Sequence, residues 1–298
     1  MLFSHATIFQ LATALPDNFE DLLAGQAFEP CTAFNPSSFG WISPLPEGFD
    51  DFTRAFGQRV LFCAKVEDKV IPPTAIKDLV SEKTTQFTRL EGNRPSTKQK
   101  QQFKEAALDE LLPRALCKHR KILAYIDPQA GLLVINSGAA TDVERFVNYL
   151  RMTLGSLEIR RADGGHSVVH LYTQWVRRGK APEGFDLADA CNLIDPETNA
   201  SVTCRKVSLR NSEILTHLDA GKLCAQIRLT WAQELSFTID KDLIIRQLKY
   251  DALTDATETD AAEDLEPEIR ALAELDAQFA LLSQEIAAFY PKLAQALS

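Results

Sequence analysis

Apolar and polar side chains alternate along the segment LCAQIRLTW (Leu223–Trp231), and this segment indicates the fold class. Successive side chains of a strand point to opposite faces of a sheet, so this alternation predicts a half-buried β-strand. Two β-prone segments, 237–239 and 243–248, follow after short turns. Strands joined by short turns pair with their neighbours, and this order therefore predicts an antiparallel meander.

The rest of the chain adds further strands and helices around this meander. Strands are predicted at 2–11, 121–127, 132–136 and 168–175, a β-hairpin at 58–71, and helices at 17–24 and 141–154. Because the strands come in hairpins and do not alternate with helices, the expected class is α+β with an antiparallel β-rich central body.

Two helical features complete the predicted fold. Residues 74–118 carry two apolar stripes separated by Gly92–Pro95, with Ser96 as a cap for the second helix, and this pattern predicts a helical hairpin. A near-heptad apolar stripe begins at Leu265 and predicts a long C-terminal amphipathic helix from about Pro267. That stripe either packs on the protein's own core or binds a partner.

Charge is distributed unevenly along the 298 residues, whose formal net charge is −9. Residues 1–53 hold seven acids and no base, and residues 251–298 hold eleven acids and two bases. The segment 54–250 has 30 bases against 23 acids, so acidic ends flank a basic middle. A locally basic surface on an acidic protein is compatible with nucleic-acid binding, because Lys and Arg near the phosphates carry that affinity.

No targeting or membrane segment is expected. The first basic residue is Arg54, whereas a secretory signal needs a positive N-terminal region. No window approaches the roughly 18 uninterrupted apolar residues of a membrane span. We therefore expect a soluble, intracellular protein.

Catalytic and metal motifs are missing from the sequence. It has no G-x-S-x-G, no P-loop and no H-E-x-x-H. Its six cysteines form no C-x-x-C pair and are expected to be buried reduced thiols. We predict no cofactor, no metal and no enzymatic activity. The alternative enzyme hypothesis is a metal-dependent nuclease built around Glu67-Asp68-Lys69.

Several short motifs occur in a fixed order over most of the chain. They are Phe28-x-Pro30-Cys31, Gly40-Trp41, Leu112-Pro113-Arg114-Ala115, Ile126-Asp127, Leu154-Gly155-Ser156-Leu157, Trp175-Val176-Arg177-x-Gly179, Gly184-Phe185, Glu213-Ile214, His217-Leu218 and Ala220-Gly221-Lys222. As a set, they resemble the recombination-associated protein RdgC family of bacteria, from the N-terminus to about residue 250.

The resemblance implies a sequence-independent DNA-binding protein of the cytoplasm and nucleoid. It further implies a horseshoe subunit, a ring-shaped homodimer around duplex DNA, and restraint of the recombinase RecA by competition for DNA. Whether single-stranded DNA is also bound stays open. The implied organisation places 1–73 in the central β-rich body, 74–120 in a helical tip, 121–250 in the central body and base region, and 251–298 in an acidic linker and C-terminal amphipathic helix.

The resemblance and the basic clusters together predict which residues contact DNA. Arg205 and Lys206 come first, because the resemblance implies that a basic strand or turn at this position faces the hole of the ring. The other candidates are Lys98, Lys100, Lys104, Lys118, Arg120, Lys121, Arg177, Arg178 and Lys222. Leu116 is the candidate for a dimer contact at the tip. The remaining alternative is a protein-interaction module that acts through the acidic C-terminal helix without touching DNA.

Overall fold

The alternating segment Leu223–Trp231 is a strand in the structure, a computed structural model that describes residues 2–161, 166–250 and 266–297. The helices are α1 (Phe19–Ala24), α2 (Pro73–Glu91), α3 (Thr97–Leu111), α4 (Ala140–Leu154), α5 (His166–Arg178), α6 (Ser212–Asp219) and α7 (Pro267–Leu297), with a 3-10 turn at Leu112–Arg114. The strands are β1 (His5–Leu11), β2 (Ser37–Ile42), β3 (Thr53–Phe56), β4 (Arg59–Val70), β5 (Leu116–Asp127), β6 (Leu132–Ile135), β7 (Ile159–Arg161), β8 (Phe185–Ile194), β9 (Ser201–Arg205), β10 (Leu223–Trp231), β11 (Leu235–Asp240) and β12 (Ile245–Tyr250). The predicted linker 251–266 lies outside the described residues except for Glu266.

The chain divides into two compact units. The first comprises Met1–Leu22, Ser43–Cys63 and Leu123–Ser298, and the second comprises Leu23–Ile42 and Ala64–Ile122. Strands β4 and β5 contribute residues to both units.

An antiparallel sheet organises the first unit. Its neighbouring strands run in the order β9–β8–β10–β11–β12–β1–β6. The α+β class with a large antiparallel sheet and a C-terminal helix is therefore confirmed. Strand β9 stands at one end of this order and pairs only with β8 among the described strands.

One face of this sheet carries the main hydrophobic core. Ile227 and Leu229 of β10 are fully buried there, in one cluster with apolar residues of α5, α6 and α7. Phe237 of β11 stacks on Phe289 of α7, with ring centroids 5.2 Å apart. Burial of aromatic and aliphatic side chains is the main favourable term for folding, so α7 is an integral part of this unit.

The C-terminal stripe packs on the protein's own core. Phe279, Leu282, Ile286 and Phe289 are all buried, while Ile269 near the start of α7 remains 47% exposed. The helix therefore does not present its whole apolar stripe to a partner. No helix within the described ranges is both long and apolar enough to cross a bilayer.

Helix α4 packs on the opposite face of the first unit's sheet. Leu61 belongs to the core cluster that includes α7, and the next residue of β4, Phe62, points the other way. Phe62 contacts Phe146 of α4, with centroids 5.6 Å apart. This helix is present as predicted, and its buried residues Val143, Phe146, Val147 and Leu150 recur at helical spacing.

The helical hairpin belongs to the second unit. Helix α2 ends at Gly92, which adopts the left-handed conformation (φ 71°) that a glycine C-cap favours. Ser96 and Gln99 form a capping box at the start of α3. Phe87 and Phe103 join the two helices, with ring centroids 5.8 Å apart.

Segment 168–175 is a helix, and the prediction of a strand was wrong. Residues Val168, Val169, Tyr172, Trp175 and Val176 of α5 are buried at the spacing of a helical stripe. The β-branched pair favoured a strand, but packing of the amphipathic face against β10 overrides that weak local preference.

Residues 58–71 do not form a hairpin. They form the single strand β4, whose hairpin partner is β3. The polar residues predicted to form a turn are satisfied within the strand: Asp68 binds Arg120, and Lys69 donates to the carbonyls of Thr32 and Ala33 at 2.7 Å. The helical hairpin is also shorter than predicted, because residues from Leu116 onward belong to β5.

Candidate nucleic-acid interface

The second face of the first unit's sheet is polar along β10, β11 and β12. On β10, Gln226, Arg228 and Thr230 are half-buried, in alternation with the buried residues of the core face. Thr238 and Ser236 of β11 stand opposite Arg228 and Thr230 in the ladder. We call this surface the open polar face.

The strand register extends this face to the edge strand β9. Asn192 of β8 pairs with Gln226 on one side and with Thr203 on the other. Arg205 lies two residues after Thr203 in a ladder without a register shift, opposite Ala190. Because side chains alternate with a period of two, Arg205 projects from the same face as Gln226.

Four basic side chains share the open polar face. They are Arg205, Arg228, Arg246 and Lys249. Two of them have carboxylate partners: Arg246 Nε lies 2.9 Å from Asp240 Oδ2, and Arg228 Nε lies 3.8 Å from Asp189 Oδ1. Sequence reasoning missed Arg228, Arg246 and Lys249, although the alternation of β10 already separates Arg228 from its apolar neighbours.

Arg205 and Lys206 are exposed at the end of β9. Lys206 adopts the left-handed conformation (φ 55°), and the N–H of Val207 then bonds to the carbonyl of Asp189. No carboxylate of the described residues lies within ion-pair distance of either side chain. Among the described residues, no carboxylate therefore neutralises their charges. A cation without a carboxylate partner is available to bind a phosphate.

The candidates Arg177 and Arg178 lie on α5, away from the open polar face. Arg177 donates to Asp219 at 2.8 Å and to the carbonyl of Leu218 at 2.7 Å, so it ties α5 to α6. Arg178 is exposed at the end of α5, a helix that packs on the core side of β10. Lys222 is half-buried before β10; the backbone N–H groups of Thr198 and Glu197 lower the pKa of Asp195, and the charge of Lys222 adds a smaller effect.

The lysines of the helical hairpin are exposed but do not form one row. Lys100 and Lys104 are four residues apart on α3 and share a face, whereas Lys98 is about 200° around the helix from Lys100. The structure places all three in the second unit.

The candidates on β5 alternate between two faces. Lys118 is exposed, and Arg120 on the same face donates to Asp68 at 2.6 Å. Lys121 points to the other face. Leu116, the proposed dimer contact, is 82% exposed at the start of this strand.

Glu67 forms a buried polar cluster in the second unit. Its Oε1 accepts the backbone N–H of Cys31 at 2.8 Å, and its Oε2 lies 3.1 Å from Nδ1 of His119. The Cys31 N–H, together with the thiols of Cys117 and Cys31, holds the pKa of Glu67 below its ordinary value. Burial, with the neighbouring carboxylate, raises the pKa of both thiols.

A pH-dependent contribution to stability follows from the lowered pKa of Glu67. Such a carboxylate stabilises the fold at pH values above its ordinary pKa near 4.5 and loses this effect as the pH falls through its folded value. Wild type is therefore expected to unfold at higher urea than Glu67→Gln at pH 7, with the difference shrinking below about pH 4.5. Urea midpoints of both proteins from pH 7 to pH 3 test this expectation, and parallel profiles would contradict it.

No assembled metal site among the described residues supports the nuclease hypothesis. Within 2–161, 166–250 and 266–297, no three His, Cys, Asp or Glu side chains are grouped to hold a metal ion. The carboxylate of Asp68, its central residue, is occupied by Arg120.

Comparison with known proteins identifies relatives over the full chain. A family model described as "Putative exonuclease, RdgC" matches residues 1–298. A protein of Tolumonas auensis is 33% identical over 283 residues, covering 94% of this chain and 92% of its own length. A protein of Pseudomonas putida is 30% identical over 303 residues, covering 100% of this chain and 97% of its own length. Both relatives are named "Recombination-associated protein RdgC".

Proposed function

Because this chain belongs to the RdgC family, we propose that it binds duplex DNA without sequence preference and thereby limits recombinase access. The observation that carries this proposal is Arg205, exposed on the open polar face, with Lys206 exposed directly after it, neither having a carboxylate partner among the described residues. Electrostatic contact with phosphates supplies most sequence-independent affinity, so two adjacent unneutralised cations at this edge of the sheet support it.

The proposed assembly is a ring-shaped homodimer built from horseshoe subunits, with the open polar face toward the DNA. The acidic ends and basic middle support this arrangement, since a ring around DNA needs positive charge on its lining and tolerates negative charge elsewhere. A closed two-subunit ring needs two self-complementary contacts, and Leu116 is our candidate for one of them. Duplex occupied by the ring is then unavailable to RecA. This competition requires no catalytic residue and no cofactor in this chain.

Dissociation from circular and linear DNA tests the ring. A closed ring leaves linear duplex by sliding off an end but must open to leave a circle. We therefore expect slower dissociation from relaxed circular DNA than from linear DNA of the same sequence at matched salt. Sedimentation should give a dimer, and blocking both ends of the linear DNA should abolish the difference. Equal rates would contradict encirclement, and failure to retain duplex at low salt would contradict DNA binding altogether.

Exonuclease activity is the second candidate, because the matching family model carries that description. It predicts Mg²⁺-dependent release of nucleotides from linear duplex, and Asp68→Ala should abolish that release if Asp68 holds the metal. Purified protein that leaves end-labelled duplex intact with Mg²⁺ and with Mn²⁺ would contradict this candidate.

A further inference from the structure

Three cysteines meet on the core face of the sheet. Cys191 of β8 lies between Cys204 of the edge strand β9 and Cys224 of β10. The side chains of both neighbours interact with the Cys191 thiol. All three are free cysteines, and the proposed DNA contacts do not use them.

Strand register selects one pair of this cluster. Cys191 and Cys204 are directly opposite each other in the β8–β9 ladder. Opposed residues of antiparallel strands have Cα atoms about 4.5–5.5 Å apart, within the roughly 4.4–6.8 Å that a disulfide spans. On β10, the residue opposite Cys191 is Ile227, and the thiol of Cys224 donates to the carbonyl of Gln226 at 3.3 Å.

One member of the pair is open to solvent. Cys191 is 3% exposed, whereas Cys204 is half-buried on the edge strand. A thiol reacts with peroxide as its thiolate and only where the oxidant has access to it. Cys204 is therefore the thiol that a small oxidant reaches first.

We propose that Cys191 and Cys204 are a peroxide-responsive pair whose disulfide fastens the edge strand β9 to β8. The Cys204 thiolate attacks hydrogen peroxide, the O–O bond breaks, and a proton from solvent completes the departing water, leaving a sulfenic acid. The Cys191 thiol attacks that sulfur, the S–S bond forms, and a second water leaves. Two thiols are oxidised for each peroxide reduced, and an added dithiol reverses the change.

Fastening β9 should reduce the local opening of the edge strand. An edge strand opens locally at little cost, and a cross-link to its neighbour removes that freedom. We expect amide hydrogen exchange in residues 201–205 to slow by about tenfold or more after oxidation. This inference goes beyond the proposed function and does not depend on DNA binding.

Non-reducing peptide mapping of the full-length protein after treatment with hydrogen peroxide tests the proposal. The expected product is one intrachain peptide pair joining Cys191 to Cys204, with slowed exchange in β9. Cys204→Ser should abolish both effects. Cys63→Ser, which alters a buried cysteine of β4, should abolish neither.

Three results would overturn the proposal. These are a Cys191–Cys224 linkage, oxidation of Cys204 to sulfinate without a linkage, and a linkage between chains. If Cys204→Ser does not fold, Cys224→Ser provides an independent check. The Cys191–Cys204 linkage should form in that variant, and its absence would also contradict the proposal, because the linkage would then depend on Cys224.

Discussion

Replacing Arg205 and Lys206 by alanine is expected to flatten the salt dependence of duplex binding by up to about 1.8 units of log K against log salt. Each neutralised phosphate contributes about 0.9 to this slope, because binding releases condensed counterions from DNA. Both side chains are exposed and have no ion-pair partner in the described ranges, so each is available for a phosphate. Fluorescence anisotropy of a labelled duplex, titrated at several salt concentrations, measures the slope.

Arg270→Ala/Lys292→Ala is the matched control for this prediction. It removes the same charge from exposed positions of α7, the helix that packs on the opposite side of the sheet. Its slope should equal that of wild type. A slope unchanged in Arg205→Ala/Lys206→Ala, or reduced equally in both variants, would show that the open polar face does not contact phosphates.

Asp127→Ala is expected to lower the free energy of unfolding by about 3–5 kcal/mol, the usual cost of removing one partner of a buried ion pair. Asp127 Oδ2 accepts from Arg59 Nε at 2.8 Å, and the Asp127 side chain is only 3% exposed. Its Oδ1 also accepts the N–H groups of Gln129 and Ala130, both at 3.0 Å. The variant leaves a partly buried guanidinium and two turn donors without their acceptor. Urea unfolding monitored by circular dichroism measures the loss.

Asp276→Ala is the control for burial. Its partner Arg54 and Asp276 itself are each about one-third exposed, and solvent-exposed pairs contribute only about 0–1 kcal/mol. Asp127→Ala should therefore destabilise the protein by at least about 2 kcal/mol more than Asp276→Ala. Equal effects would contradict the assignment of the Arg59–Asp127 pair as a buried structural link.

Regular periodicity made several elements predictable from the sequence. The alternation of β10 and the apolar stripe of α7 each reflect one buried face. Such a pattern can be recognised in the sequence without knowing which elements pack against that face. Strand β8 was not predicted, because a bulge around Ala188–Ala190 interrupts its alternation. Helix α5 was predicted as a strand, because its two adjacent valines favour β structure locally while its helical stripe becomes stable only against β10.

The α+β class, the partition of charge into acidic ends and a basic middle, and the motifs that identify the family can all be read from the order of the residues. Which cations lie on the same face of the sheet depends on the folded structure. Strand register places Arg205 and Arg228 on one face of the sheet. Arg177 instead donates to Asp219 and to the carbonyl of Leu218, on α6. The direction of a side chain depends on pairing between distant segments, and a list of charges along the chain does not contain that information.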